Sequence, residues 1–237
     1  MKKFLLFTST LVWFHLGVFA QQSLVYRQVS LGPRVAGVNF ATQTTDPNFD
    51  KLLELSKKTQ NLGFLFGGIV NIGVNKILSL QPEILFSQKG IKYIDGDDYV
   101  QKTASYLEIP LLTKFSAGNK KFSGFINLGP YLGYWVTKKT MEVVGGKVVS
   151  VGDKEDLFDD NIDDDGIADN RLDIGLSVGC GLALRVGPGN LIFDARYGLG
   201  LTALTKYKDD TYKPDPYTKA SNRTIGISAG YLFELGR

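Results

Sequence analysis

Along most of this chain apolar side chains recur at every second residue, and only a pleated strand gathers such a set on one face. The alternation is cleanest at 171–186, where Leu172, Ile174, Leu176, Val178, Cys180, Leu182, Leu184 and Val186 share one parity. Arg171, Asp173, Gly175, Ser177, Gly179, Gly181, Ala183 and Arg185 share the other. Eight segments of this kind are expected as strands: Val29–Phe40, Asn61–Val74, Ile77–Ile91, Thr103–Ala117, Phe122–Lys138, Arg171–Val186, Leu191–Ala203 and Asn222–Leu235. Their connections alternate in length. Asn75-Lys76, Gly118–Lys121 and Gly187–Asn190 are short and built from turn formers, whereas the connections at about 41–60, 92–102, 139–170 and 204–221 are long. The expected fold class is all-β: an eight-stranded antiparallel up-and-down transmembrane β-barrel with short periplasmic turns and long outer loops, both termini on the periplasmic side.

The N-terminus supports export. Lys2 and Lys3 precede an apolar run from Phe4 to Phe19, and Val18-Phe19-Ala20 offers the small residues that a signal peptidase requires. The expected organisation is therefore a cleaved signal peptide at 1–20, an N-terminal periplasmic segment at 21–28 and an outer-membrane barrel at 29–237. Cleavage would take two lysines and no acids from 27 Lys+Arg and 24 Asp+Glu, so the formal charge would fall from 27 − 24 = +3 to 25 − 24 = +1. A near-neutral chain argues against nucleic acid as a partner. One cysteine excludes an internal disulfide, and the sequence has no Cys/His cluster of zinc-binding spacing.

A soluble periplasmic ligand-binding barrel has the same alternation with its faces reversed, apolar inside and polar outside. The leader, the alternation of short and long connections and the glycines on the polar parity favour the membrane version. Glycine weakens a strand on a solvated face, but inside a narrow barrel it leaves room for long charged side chains.

Gln81–Gly90, Tyr106–Lys114 and Asn127–Gly133 resemble the recurrent strand motifs of the PorT-like outer-membrane β-barrel family, Tyr106-Leu107-Glu108-Ile109-Pro110 being the most specific stretch. The resemblance follows strand order through essentially the whole chain after residue 20. It implies an eight-stranded barrel in the outer membrane of a Gram-negative cell and implies no reaction.

On the polar parity the sequence sets Arg34, Lys89, Lys114, Arg185 and Arg196 beside Glu83, Glu108, Asp173, Asp194 and Glu234. A lumen of eight strands is just wide enough for side chains to fill, so these are expected as an ion-paired plug, with a small-solute channel as the alternative. No enzyme is expected. The only histidine, His15, lies in the leader, and Cys180 has no activating partner.

Two loops carry local signals. Counted from Asn161, oxygen donors fall at Asn161, Asp163, Asp165 and Asp169, with Gly166 at the sixth position and the Ile167 carbonyl at the seventh. That is the order of an EF-hand loop, but Leu172 stands where the bidentate glutamate belongs. Calcium is thus the one candidate ligand, a solvated acidic loop is the alternative, and no cofactor is required. In the last loop Lys206, Tyr207, Lys208, Tyr212, Lys213 and Tyr217 interleave charge and rings, a surface for lipopolysaccharide phosphates or an envelope protein partner, or otherwise a solvated loop above an aromatic girdle. Glu142–Val149 reads as a hairpin turned by Gly145-Gly146, and Asp46–Leu53 as a short helix.

Overall fold

The structure is a computed structural model that describes residues 28–44, 57–153, 167–207 and 221–235. The leader, the helix expected at 46–53, and Asn161, Asp163, Asp165, Lys208, Tyr212, Lys213 and Tyr217 lie outside the described residues. Eleven strands occur among those residues: β1 Val29–Thr44, β2 Lys57–Gly73, β3 Leu78–Asp95, β4 Asp98–Gly118, β5 Phe122–Val144, β6 Lys147–Asp153, β7 Ile167–Asp169, β8 Leu172–Val186, β9 Gly189–Gly200, β10 Thr205–Tyr207 and β11 Ser221–Leu235.

The eight long strands pair antiparallel in the order β1-β2-β3-β4-β5-β8-β9-β11, and β11 pairs back onto β1, with Val29 opposite Leu235 and Thr44 opposite Ser221. The fold is all-β, antiparallel and barrel-like, and its pairings close on themselves. Closure leaves these strands without a free edge. At one end sit the short turns at 74–77, 119–121 and 187–188, and at the other the longer connections.

Two of the expected long connections differ. Residues 92–102 are not a loop: β3 and β4 continue as a hairpin through Gly96-Asp97, with Tyr93 opposite Val100 and Ile94 opposite Tyr99. Gly96 supplies the positive φ (59°), and Lys92 Nζ lies 3.6 Å from the centroid of the Tyr99 ring. Cross-strand pairs continue past the point where the apolar pattern fades, which is why the pattern alone stopped short. The third connection likewise begins as strand. β5 runs to Val144 and turns into β6 through Gly145 and Gly146, both at positive φ (58° and 74°), the requirement of a two-residue type I′ turn. Gly145 N donates to Asp98 Oδ1 at 2.7 Å, tying the two hairpins together.

Burial decides which parity faces in. Along β8 the apolar set Leu172, Ile174, Leu176, Val178, Cys180, Leu182, Leu184 and Val186 is exposed, and Asp173 on the other parity is buried. The same holds around the ring: Ile84, Ile109, Ile126, Phe193 and Ile227 face outward while Glu83, Lys89, Lys114, Asn127 and Asp194 are buried. The apolar parity forms an outer band, and the charges are inside.

Inward glycines make that possible. A Cβ at Gly175 would lie 2.5 Å from the Tyr131 ring, and one at Gly179 would lie 2.7 Å from Arg196 Cγ and 2.8 Å from Asn127 Oδ1. Both residues stand directly across from the long side chain they accommodate, Gly175 opposite Tyr131 and Gly179 opposite Arg196.

Candidate functional site

The interior contains two charged clusters. The one nearer the short turns is built on Glu83, which accepts from Arg196 Nη1 and Nη2 at 2.8 and 2.7 Å, from Arg34 Nη2 at 3.1 Å and from Gln81 Nε2 at 2.6 Å. Asp194 accepts from Arg34 Nη1 and Arg196 Nη2, both at 2.7 Å, and Ser228 bridges Arg34 and Asp194. Two guanidinium forks hold two carboxylates, and the Arg196–Glu83 contact is bidentate.

The cluster nearer the long connections is built on Lys89. Its ammonium lies 2.8 Å from Asp173 Oδ2 and 2.6 Å from Glu108 Oε1, the latter an ion contact out of hydrogen-bond alignment. The rings of Tyr106 and Tyr131 flank it, with centroids at 4.7 and 5.0 Å. Asn222 Nδ2 donates to Asp173 Oδ2 at 2.9 Å and to Tyr106 Oη at 3.1 Å.

A cavity of about 50 Å³ lies between the clusters, lined by Ser87, Lys89, Glu108, Arg196, Thr224 and Ser228 among others. It has room for a few water molecules, each needing roughly 10–15 Å³. Both sides are packed. Towards the short turns Ile69, Ile192 and Leu232 form an apolar plug, with Leu112 wholly buried. Towards the long connections Tyr106 stacks on Trp135 at 5.9 Å.

The ten charged residues singled out in the sequence do not form one network. Arg34, Glu83, Asp194 and Arg196 make one cluster, and Lys89, Glu108 and Asp173 the other. Arg185 and Glu234 pair at the short-turn rim, where Asn190 Nδ2 also donates to Glu234 Oε1 at 3.1 Å. Lys114 is buried, but among the described residues no carboxylate lies within ion-pair distance of it, and its ammonium sits 3.9 Å over the Phe125 ring. Its register neighbour Asn127 is wholly buried, with no hydrogen-bond partner for either side-chain atom among the described residues.

Sequence reasoning missed Gln81, Ser228, Asn222, Tyr106, Tyr131 and the apolar plug. All of them face inward, so the parity alone could have found them.

Of the calcium candidates, Ile167 and Asp169 are described and lie in β7, which pairs with β10 so that Ile167 faces Tyr207 and Ala168 faces Lys206. The third and fourth connections therefore meet. Asp169 Oδ2 already accepts from Lys138 Nζ at 3.1 Å, and the described residues contain no group of three or more metal-ligating side chains.

A family model described as an outer membrane protein beta-barrel domain matches residues 19–206. The chain belongs to that family. As an outer-membrane barrel it resembles OprG from Pseudomonas aeruginosa (10% identity, 89% of this chain and 97% of that one, TM-score 0.49). It also resembles Neisserial surface protein A (12% identity, 87% and 97%, TM-score 0.42) and Ail of Yersinia pestis (15% identity, 88% and 100%, TM-score 0.40). Likenesses this distant carry no functional argument. No curated protein matches the sequence.

Proposed function

We infer that this family member is an eight-stranded up-and-down barrel that spans the outer membrane, keeps its lumen closed and acts as a structural or interaction protein through its long connections. The observation that carries this reading is the division of faces: an outward apolar band and inward charges that, Lys114 apart, pair with one another. Water would have to solvate that band in a soluble ligand-binding barrel, at a cost of roughly 25 cal/mol per Å² of apolar surface, whereas lipid does not exact it. The paired interior and the plug at Ile69, Ile192 and Leu232 favour a closed lumen over a small-solute channel. A non-enzymatic role fits the absence of histidine outside His15.

The PorT-like assignment rests on Tyr106–Lys114, and export on the leader at 1–20. The partners we propose are outer-membrane lipid, lipopolysaccharide and an envelope protein, recognised at Lys206, Tyr207 and the rest of the fourth connection. Calcium at Asn161–Asp169 is a separate proposal, and the ion would have to compete with Lys138 for Asp169.

Membrane fractionation combined with gel mobility of unheated against heated samples tests the spanning barrel. Outer-membrane recovery with a heat-dependent shift is expected, whereas a soluble protein without one defeats the reading. Planar-bilayer recording tests the closed lumen, and a stable ohmic pore would overturn it.

A further inference from the structure

The short turns carry a feature that the lumen does not use. Asn75-Lys76 and Asn119-Lys120 are built alike: Asn75 Oδ1 accepts from Ile77 N at 2.9 Å and Leu78 N at 2.8 Å, and Asn119 Oδ1 accepts from Lys121 N at 2.9 Å and Phe122 N at 3.0 Å. In each turn the asparagine closes the backbone and leaves the following lysine at the tip. Ser116 N donates to Ile77 O at 2.7 Å and Arg185 N to Lys121 O at 2.9 Å, so both turns and the end of β8 form one arc of the rim.

Lys76, Lys120 and Lys121 are all exposed. Among the described residues the only carboxylate at this rim is Glu234, which Arg185 already neutralises. The described rim charge is therefore four cations (Lys76, Lys120, Lys121 and Arg185) minus one acid, 4 − 1 = +3. Directly beside the lysines the outward apolar band begins, with Ile77 60% and Phe122 45% exposed. An arc of lysines on backbone-braced turns at the border of a lipid-facing band lies at headgroup depth, where the complementary group is a phosphate with net negative charge.

We propose that Lys76, Lys120 and Lys121 form a binding arc for the phosphate headgroups of anionic phospholipid in the leaflet at the short-turn end. The arc rests on the membrane-spanning reading given above. It anchors the depth of the barrel on the side of the β2–β3 and β4–β5 turns, because the β8–β9 turn at Gly187-Pro188 carries no cation.

Tryptophan quenching by brominated lipid tests it. A Phe122→Trp reporter sits beside Lys121 at the rim, Trp135 is buried in the lumen away from lipid, and Trp13 belongs to the leader, which export is expected to remove. Ile77→Trp serves as a second reporter in case the first fails to fold. Bilayers mix brominated phosphatidylglycerol with plain phosphatidylcholine, and the converse.

At low ionic strength phosphatidylglycerol should be preferred at the reporter by about fivefold or more, given roughly one such factor per lysine near an anionic surface. The preference should fall towards unity in molar salt and vanish in the Lys76→Gln/Lys120→Gln/Lys121→Gln variant. A ratio of one in the unsubstituted arc, or a preference that survives the triple substitution, overturns the proposal. So does loss of the preference to inorganic phosphate at matched ionic strength, which would make the arc a site for free phosphate. Quenching by neither lipid would instead defeat the membrane-spanning reading itself.

Discussion

The two charged clusters of the lumen solve the same problem with different chemistry. Around Glu83 and Asp194 the cations are arginines, whose planar forks satisfy several carboxylate oxygens at once. Around Asp173 and Glu108 the cation is a single lysine, a compact charge held between two tyrosine rings. The arginine cluster abuts an apolar plug and joins two forks to two carboxylates, although Arg34 Nε, Arg196 Nε and Gln81 Oε1 lack a hydrogen-bond partner among the described residues, whereas the lysine cluster relies on aromatic faces and Asn222; the polar cavity borders both. The difference teaches that buried charge in this barrel is tolerated according to how many partners a side chain can engage, not according to equal counts of each sign. Lys114, with a ring and no carboxylate within ion-pair distance among the described residues, is the limiting case.

Breaking the arginine cluster should have the largest effect. Glu83→Ala leaves two buried guanidiniums with Asp194 as their one remaining carboxylate among the described residues, hence one uncompensated charge, and should cost about 3–5 kcal/mol, the usual penalty for an unpaired buried charge. It is read as a lowered midpoint of heat-induced gel mobility shift. Lys89→Met removes the other hub, but the cavity can hydrate Glu108 and Asp173 keeps Asn222 and Tyr131 as donors, so a smaller loss of about 2–3 kcal/mol is expected in the same assay. If Lys89→Met proves the more damaging of the two, the contrast between the clusters is wrong.

Gly179→Val sharpens the comparison from the side of space: its branched side chain meets Arg196 and Asn127, and overpacking of about 1–3 kcal/mol should follow. Arg196→Lys keeps the charge and loses the bidentate fork, so about 1–2 kcal/mol should be lost, with the lumen still closed to ions in bilayer recordings. The smallest effect belongs to Arg185→Gln at the rim. Its pair with Glu234 is open to water, and no measurable shift in the midpoint is expected.

Much of this architecture was legible because period-two patterning is a local property. Leu172 to Val186 announce a strand with two unlike faces in any context, and Asn75-Lys76 and Gly187-Pro188 announce turns through their own backbone preferences. Local preference also marked Gly145-Gly146, where positive φ is needed at consecutive residues. It did not mark the hairpin through Gly96-Asp97, because strand there is maintained by partners across the ladder and the alternation is weak.

The sequence by itself therefore determined the eight long elements, short of the β3–β4 extension, and which residues of each strand would share a face. Tertiary structure alone decided which parity is inside, since the same alternation serves a soluble barrel with its faces exchanged. It also decided the partners. Glu83 meets Arg34 and Arg196 across sequence separations of 49 and 113 residues, and Lys89 meets Asp173 across 84. Such contacts depend on the stagger of the strands and the closure of β1 on β11, quantities that no stretch of the chain encodes alone.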